Sequence, residues 1–176
     1  MEKLSNTQFI GLMTPTPALL VTSVTPEGKG NIISIAWATP LSHNPPLFCV
    51  AIHRERYSHR IISNSGVYGV NVMPMSLAGA IQYCGDVSGS DVDKFQGAGL
   101  TAIPGKALPV PMIDEAIGRF ECRVTDVVAT GDHDLFVAEV VYVEVLEGRY
   151  DRGWIQESCD AALHLLRGRY GRISRS

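Results

Sequence analysis

The sequence predicts a mainly β protein, an antiparallel barrel carrying two or three short helices. Three observations lead there. Short runs rich in β-branched residues recur along the 176-residue chain. Gly, Pro and Asn signals separate them at intervals suited to hairpins. Residues 117–145 hold two long alternating runs joined by a short polar connection, which makes a hairpin. Closing such strands into a barrel leaves few edges exposed.

The elements follow in order. Residues 18–25 form the first strand, ended by Pro26-Glu27-Gly28-Lys29-Gly30, where two glycines can take positive φ. The hairpin partner, residues 31–38, buries Ile33 and Ile35 on one face, with Asn31 beside the turn and Trp37 near the other end. Pro45-Pro46 cannot donate ladder hydrogen bonds and marks the entrance or edge of a strand at 47–53. Residues 57–64 set Ile61 and Ile62 among polar neighbours and read as a short helix. Residues 67–72 return to a strand, Pro74 breaks the chain, and 77–84 read as a second helix. The Gly- and Ser-rich residues 85–91 form a loop leading into Val92-Asp93-Lys94-Phe95. Residues 117–128 and 135–145 are the long hairpin, connected by Thr130-Gly131-Asp132-His133-Asp134. The tail from Cys159 onward is basic, and no internal repeat is present.

Composition narrows the class. A chain of this length with 45 % apolar residues suits a single domain over residues 1–176 with one substantial core. A net charge of −3 gives no long-range attraction for nucleic acid or anionic lipid, so any anion site must be a local cluster of donors. No apolar stretch reaches the ~20 residues of a membrane helix. Residues 1–7 carry two opposite charges without a following apolar run, unlike a secretory leader. Cys49, Cys84, Cys122 and Cys159 lie far apart with no Cys-x-x-Cys pair, which argues against zinc ribbons, iron–sulfur clusters and thioredoxin motifs. The expected setting is a reducing cytoplasm, with the thiols as packing residues. The five histidines show no metal-ligand spacing, and Ser63-Asn64-Ser65-Gly66 lacks the nucleophile elbow of a hydrolase.

Against this background Asn31, Trp37, Ser58, Lys94 and Gly131-Asp132-His133 stand out, since folding alone has little use for such residues dispersed among apolar strands. Their convergence on one ligand is the expectation. A barrel of this size fills its interior with side chains, so a flat ligand belongs on an outer face or a subunit boundary.

The segment Asn31-Ile32-Ile33-Ser34-Ile35-Ala36-Trp37-Ala38-Thr39-Pro40, followed by Pro45-Pro46 and Arg54-Glu55-Arg56-Tyr57-Ser58, resembles the flavin reductase-like, FMN-binding split-barrel family, particularly its flavoredoxin-like branch. Cys84-Gly85, Ser88-Gly89, Asp93-Lys94-Phe95, Gly99-Leu100, Glu121-Cys122 and Gly131-Asp132-His133 extend the match in the family's order, from about residue 18 to 170. The resemblance implies a homodimer of antiparallel split barrels of about six strands, Greek-key in type, each holding FMN non-covalently near the dimer interface. It implies NADH or NADPH as donor and a small molecule or redox protein as acceptor. The positions it sets around the flavin are Asn31, Trp37, Ser58, Lys94 and His133, with an aromatic near the C-terminus, Tyr170, or in its place Leu166 or His164.

Chemistry supplies a reason for each. Ser58 and Arg56 offer donors to a phosphate, reinforced by backbone N–H groups if a helix starts there; solvated surface charge is the ordinary alternative for Arg56. Trp37 can cover the isoalloxazine or simply pack. Asn31 can serve ribityl hydroxyls or the pyrimidine edge, or close its own turn. Ala38 and Thr39 are candidates for the ring's polar edge. Lys94 can stabilise the negative charge of reduced flavin, bind phosphate, or pair with Asp93 or Asp91 at the surface. His133 can couple proton transfer to electron transfer, or be a solvated turn residue. The expected function is therefore an FMN oxidoreductase, with Lys94 and His133 tuning the flavin. Two rivals are an electron carrier reduced by a protein partner, and a non-catalytic module for flavin or haem.

Overall fold

A computed structural model describes residues 3–155 and 159–173. Helix α1 (Phe9–Leu12) and strand β1 (Thr16–Pro17) lead into a first hairpin of β2 (Leu19–Val24) and β3 (Gly30–Ile35). Its turn holds Gly28 at φ 83°, a conformation glycine adopts without steric cost. Then come β4 (Ala38–His43), β5 (Pro46–His53), helix α2 (Tyr57–Ser65), β6 (Val67–Val72), α3 (Ala78–Asp86) and α4 (Lys94–Ala98). Strands β7 (Ala102–Pro104) and β8 (Pro111–Ile113) make a short pair ahead of the long hairpin, β9 (Gly118–Thr130) and β10 (His133–Val145). Strands β11 (Leu163–His164) and β12 (Tyr170–Gly171) join β1 in a small sheet.

Seven strands form one antiparallel sheet in the order β3-β2-β6-β9-β10-β5-β4. Strands β3 and β4 end that order on opposite sides, yet only Ala36 and Trp37 separate them in the chain. The sheet therefore curls until its ends meet, and no ladder closes the seam. This is the split barrel expected from the sequence. The predicted single strand at 31–38 is corrected here: it breaks after Ile35, because β3 pairs with β2 whereas β4 pairs with β5. The apolar run Ile35-Ala36-Trp37-Ala38 continues across the corner, so the pattern could not reveal it. The expected loop at 85–91 likewise begins late, since α3 continues to Asp86.

Packing explains the uninterrupted burial of β2. Leu19 and Val21 face the barrel interior with Val50, Tyr68 and Phe136, while Leu20 and Ile32 face outward beneath Ile81, Cys84 and Phe95 of α3 and α4. Both faces are thus covered, and each fully buried side chain of this size contributes roughly 1.5–3 kcal/mol. The buried Tyr68 hydroxyl lies 3.4 Å from the Phe48 carbonyl and 3.3 Å from that of Phe136, tying β5 to β10 from inside. The long hairpin turns more tightly than the sequence suggested, on Gly131 and Asp132 alone, with Gly131 at φ 57°.

One buried carboxylate belongs to the scaffold. Glu121 on β9 is 1 % exposed and accepts the backbone N–H groups of Lys106 (2.6 Å), Ala107 (2.9 Å) and Leu108 (2.6 Å), which fixes the turn between β7 and β8. Cys49, Cys84 and Cys122 are buried free thiols. Burial raises Cys84 to about 11 and Cys122 to about 12, which keeps both protonated and unreactive near neutrality. Among the described residues no helix is long and apolar enough to cross a membrane, and no group of His, Cys, Asp and Glu could hold a metal ion.

Candidate functional site

A cleft of about 760 Å³ lies over the seam, between the start of α2 and the end of α3, a size typical of sites for small organic ligands. Its walls come from β3 and β5, and the start of α2, residues 84–89, Lys94 and His133 complete it.

One end is the N-terminus of α2. Arg56 is its N-cap in extended conformation, with no side chain capping the helix and no acidic residue in the first turn. Leading N–H groups of a helix have no partner within it, so they and the positive end of the helix dipole suit an anion. Arg56 and Ser58 both line the cleft. Ser58 is buried, and its Oγ accepts a hydrogen bond from Asn31 Nδ2 at 2.8 Å. The hydroxyl proton is left free to be donated elsewhere.

Asn31 itself is placed differently from expectation. It is 2 % exposed and outside the cleft lining, standing behind Ser58 and donating also to Ser23 Oγ at 3.2 Å. Its Oδ1 is buried without a hydrogen-bond partner. That oxygen lies under Gly89, where a Cβ would come within 1.9 Å of it. Asn31 therefore shapes the site from beneath and positions Ser58.

Lys94 opens α4, whose N-cap is Asp93: that carboxylate accepts from the N–H groups of Phe95 (2.9 Å) and Gln96 (3.2 Å). Asp91 accepts from Ser90 Oγ at 2.9 Å. Neither pairs with Lys94, so the surface ion pair considered from sequence is not formed. Lys94 is 5 % exposed, lines the cleft, and donates from Nζ to the Cys84 carbonyl near the end of α3 at 2.7 Å. Burial pushes its pKa below the ordinary lysine value, Cys84 opposes that, and nearby Arg56 adds to it. No carboxylate among the described residues forms an ion pair with it. A cation held in this way is a built receptor for negative charge.

An aromatic rim marks another side. Trp37, 45 % exposed at the corner between β3 and β4, lies 4.9 Å from the His133 ring, and His53 meets the same ring edge-on at 5.1 Å. His53 and His133 are cross-strand partners on β5 and β10. His133 Nδ1 lies 2.6 Å from Asp132 Oδ1, and this hydrogen bond holds the Asp132 carboxyl below its usual pKa. Behind the rim, Asp134 binds His59 Nε2 and Arg54 Nε at 2.8 Å each, joining α2 to β10.

Three expected contacts fall elsewhere. Ala38 and Thr39 lie on β4 beyond the corner, opposite Val50 and Cys49, and neither lines the cleft. Tyr170 lines a smaller adjoining cavity, together with His164. Leu166 approaches Gly11 of α1. Conversely, sequence reasoning passed over His53 and Asp86 as cleft residues. The register opposite His133 was the available signal for His53; Asp86 had none, because it was read as loop.

The donors fit a ligand anionic at one part and flat at another: a helix start with Arg56 and Ser58, a buried unpaired cation, and a Trp–His rim. Comparison with known proteins agrees. Residues 11–174 match the family model described as the flavin reductase like domain. A protein of Archaeoglobus fulgidus named only as uncharacterized is 38 % identical over 115 residues, covering 65 % of each chain, so this chain spans just under two thirds of that relative's length. A flavin reductase of Pseudomonas putida is 29 % identical over 157 residues, 89 % of this chain and 82 % of the other. Among solved structures, an FMN-binding protein of Thermus thermophilus with bound p-hydroxybenzaldehyde superposes with a TM-score of 0.84 at 30 % identity, covering 98 % of this chain and 92 % of that one. A flavoredoxin of Methanosarcina acetivorans gives 0.89 at 25 % identity, covering 100 % and 92 %.

Proposed function

Because the chain belongs to the flavin reductase like family, we propose that it binds FMN non-covalently in this cleft and acts as an NAD(P)H-dependent oxidoreductase. The observation that carries the reading is Lys94, a buried cation with no carboxylate partner among the described residues, facing a cleft that also holds a helix N-terminus and an aromatic rim. Bound FMN would supply the redox chemistry, hydride acceptance from a nicotinamide donor and onward electron transfer to a small molecule or a redox protein. Everything else is done by the chain. Arg56, the Ser58 hydroxyl and the leading N–H groups of α2 bind phosphate. Asn31 keeps the Ser58 hydroxyl aimed. Lys94 balances negative charge on the ligand in a site of low dielectric, where that balance counts most. With Nδ1 engaged by Asp132, Nε2 of His133 is the atom available to exchange a proton.

The likeness to flavoredoxin supports a second reading, an electron carrier reduced by a protein partner. Anaerobic titration of FMN-loaded protein with NADH and NADPH separates the two. Loss of the oxidised-flavin absorbance with either donor supports the reductase; persistence with both leaves only the carrier. Protein that stays colourless after FMN addition overturns both. The homodimer belongs to the same proposal. Exposed Trp37 and Leu41 near the rim and exposed Val143 and Val145 on β10 offer apolar surface for a second copy. A monomer by light scattering at micromolar concentration would remove that part.

A further inference from the structure

Beside the cleft lies a smaller alcove of about 230 Å³, sharing Ser34, Ala36 and Asp86 with it and extending under the C-terminal sheet to Gln82, His164 and Tyr170. Its volume suits one ring and excludes a dinucleotide. Its polar groups form a chain: Tyr170 Oη donates to Gln82 Oε1 at 3.1 Å, and Gln82 Nε2 donates to Asp86 Oδ1 at 2.7 Å. Gly168, at φ 68°, brings the backbone so close that a Cβ there would lie 3.0 Å from Gln82 Oε1. Gln82 is thereby held between tail and helix, and it fixes the Asp86 carboxylate. Asp86 Oδ2 receives no hydrogen bond from another described residue, so a full acceptor remains where alcove and cleft meet.

Donors are present too. Burial pushes the His164 pKa below the ordinary histidine value, so at neutral pH its imidazole carries one N–H and one acceptor nitrogen. Ser34 adds a hydroxyl that lies against that of Tyr170. The His164 and Tyr170 rings, 5.8 Å apart, give the alcove flat walls. An acceptor carboxylate beside neutral donors complements a group that offers N–H and C=O in one plane, and repels a carboxylate of the same shape. A primary carboxamide on an aromatic ring has that chemistry.

We propose that the alcove is the donor subsite, in which Asp86 accepts the amide N–H of the nicotinamide carboxamide while His164 or Ser34 donates to its carbonyl. Gln82 and Tyr170 are positioning residues that hold Asp86 in place. The assignment rests on the flavin reading above, and it adds where the donor ring sits and what selects it.

The test uses FMN-saturated protein and two reduced donors, the nicotinamide dinucleotide and its nicotinic-acid counterpart, which differ only by carboxamide against carboxylate. Wild type should prefer the carboxamide donor in kcat/KM by tenfold or more. Asp86→Asn should cut that preference about tenfold, chiefly through KM, since it removes a charged acceptor and the repulsion of carboxylate together. Gln82→Met should lower it less. Saturation-transfer NMR on oxidised, FMN-loaded protein, with free nicotinamide and nicotinate as probes, reads the same discrimination without turnover. An unchanged preference in Asp86→Asn, with FMN bound and the flavin reduced, overturns the alcove assignment and leaves the reductase standing. Failure to bind FMN, or to be reduced by either donor, overturns the reductase reading and the subsite with it.

Discussion

Gly89→Ala tests the site at its tightest point. A Cβ on Gly89 would lie 1.9 Å from Asn31 Oδ1, whereas such contacts essentially never fall below 3.0 Å, so something must move by about 1.1 Å. Asn31 is a poor candidate to move: it is 2 % exposed and spends its amide on Ser23 and Ser58. Swinging it away would leave buried groups unsatisfied, at roughly 1–3 kcal/mol for each of two hydrogen bonds. Lifting residues 87–90 costs about 1–3 kcal/mol, the usual range for one added methyl in a tight place. The loop should therefore yield, and since Ser88 and Gly89 line the cleft, the cost falls on ligand binding. FMN affinity should drop about 5- to 100-fold, with the melting temperature lower by roughly 2–12 °C. Quenching of FMN fluorescence on titration measures it. A cycle with Asn31→Ala supplies the control: once Oδ1 is gone, Gly89→Ala should cost almost nothing more. Equal losses in both backgrounds, or unaltered affinity in the single variant, would refute the steric argument.

Other expectations follow from the same residues. Lys94→Met removes a desolvated cation but also the donor to the buried Cys84 carbonyl, so the two effects oppose and urea stability of the apoprotein should change by no more than about 1–3 kcal/mol, while FMN binding weakens about 10- to 100-fold; a variant much less stable but equally good at holding FMN would contradict the assigned role. The Asp134 carboxyl lies below its usual value because His59 and then Arg54 donate to it. A depressed carboxylate stabilises fully above the unfolded value of about 3.9, and that contribution is lost as pH falls through the lower folded value. Melting curves of wild type and Asp134→Asn should therefore differ at neutral pH and converge in acid; parallel curves from pH 7 to 2 would exclude the linkage. Glu121→Ala strands three backbone N–H groups in the turn beyond β7, and should cost about 3 kcal/mol or more, hence a fall of roughly 6–12 °C in melting temperature. Wild-type thermal stability would show that solvent replaces the carboxylate there.

What could be read from the sequence divides along physical lines. The helix at 57–64 and the hairpin of β9 and β10 were legible because their signals are local: apolar residues at helical spacing, and alternation on either side of a Gly-Asp turn. The corner at Ala36 and Trp37 was not, because an apolar run crosses it and only the strand partners on either side differ. For the same reason the placement of Ala38 and Thr39 beyond the corner, outside the cleft lining, was not visible. Lys94 and Ser58 could be singled out because polar residues dispersed among apolar strands have few folding roles and because the motifs around them occur in the family's order. Asn31, expected around the ligand, stands behind Ser58 and outside the cleft lining, a depth that sequence does not give. Glu121 concealed its role, as a lone acidic residue on a strand reads as solvent-facing until the distant turn it organises is seen.

Strands β3 and β4 flank the opening in the sheet with no ladder between them. Width there is consequently a free variable of the architecture: the two lips can spread or approach by repacking a few side chains while every backbone pairing elsewhere is kept.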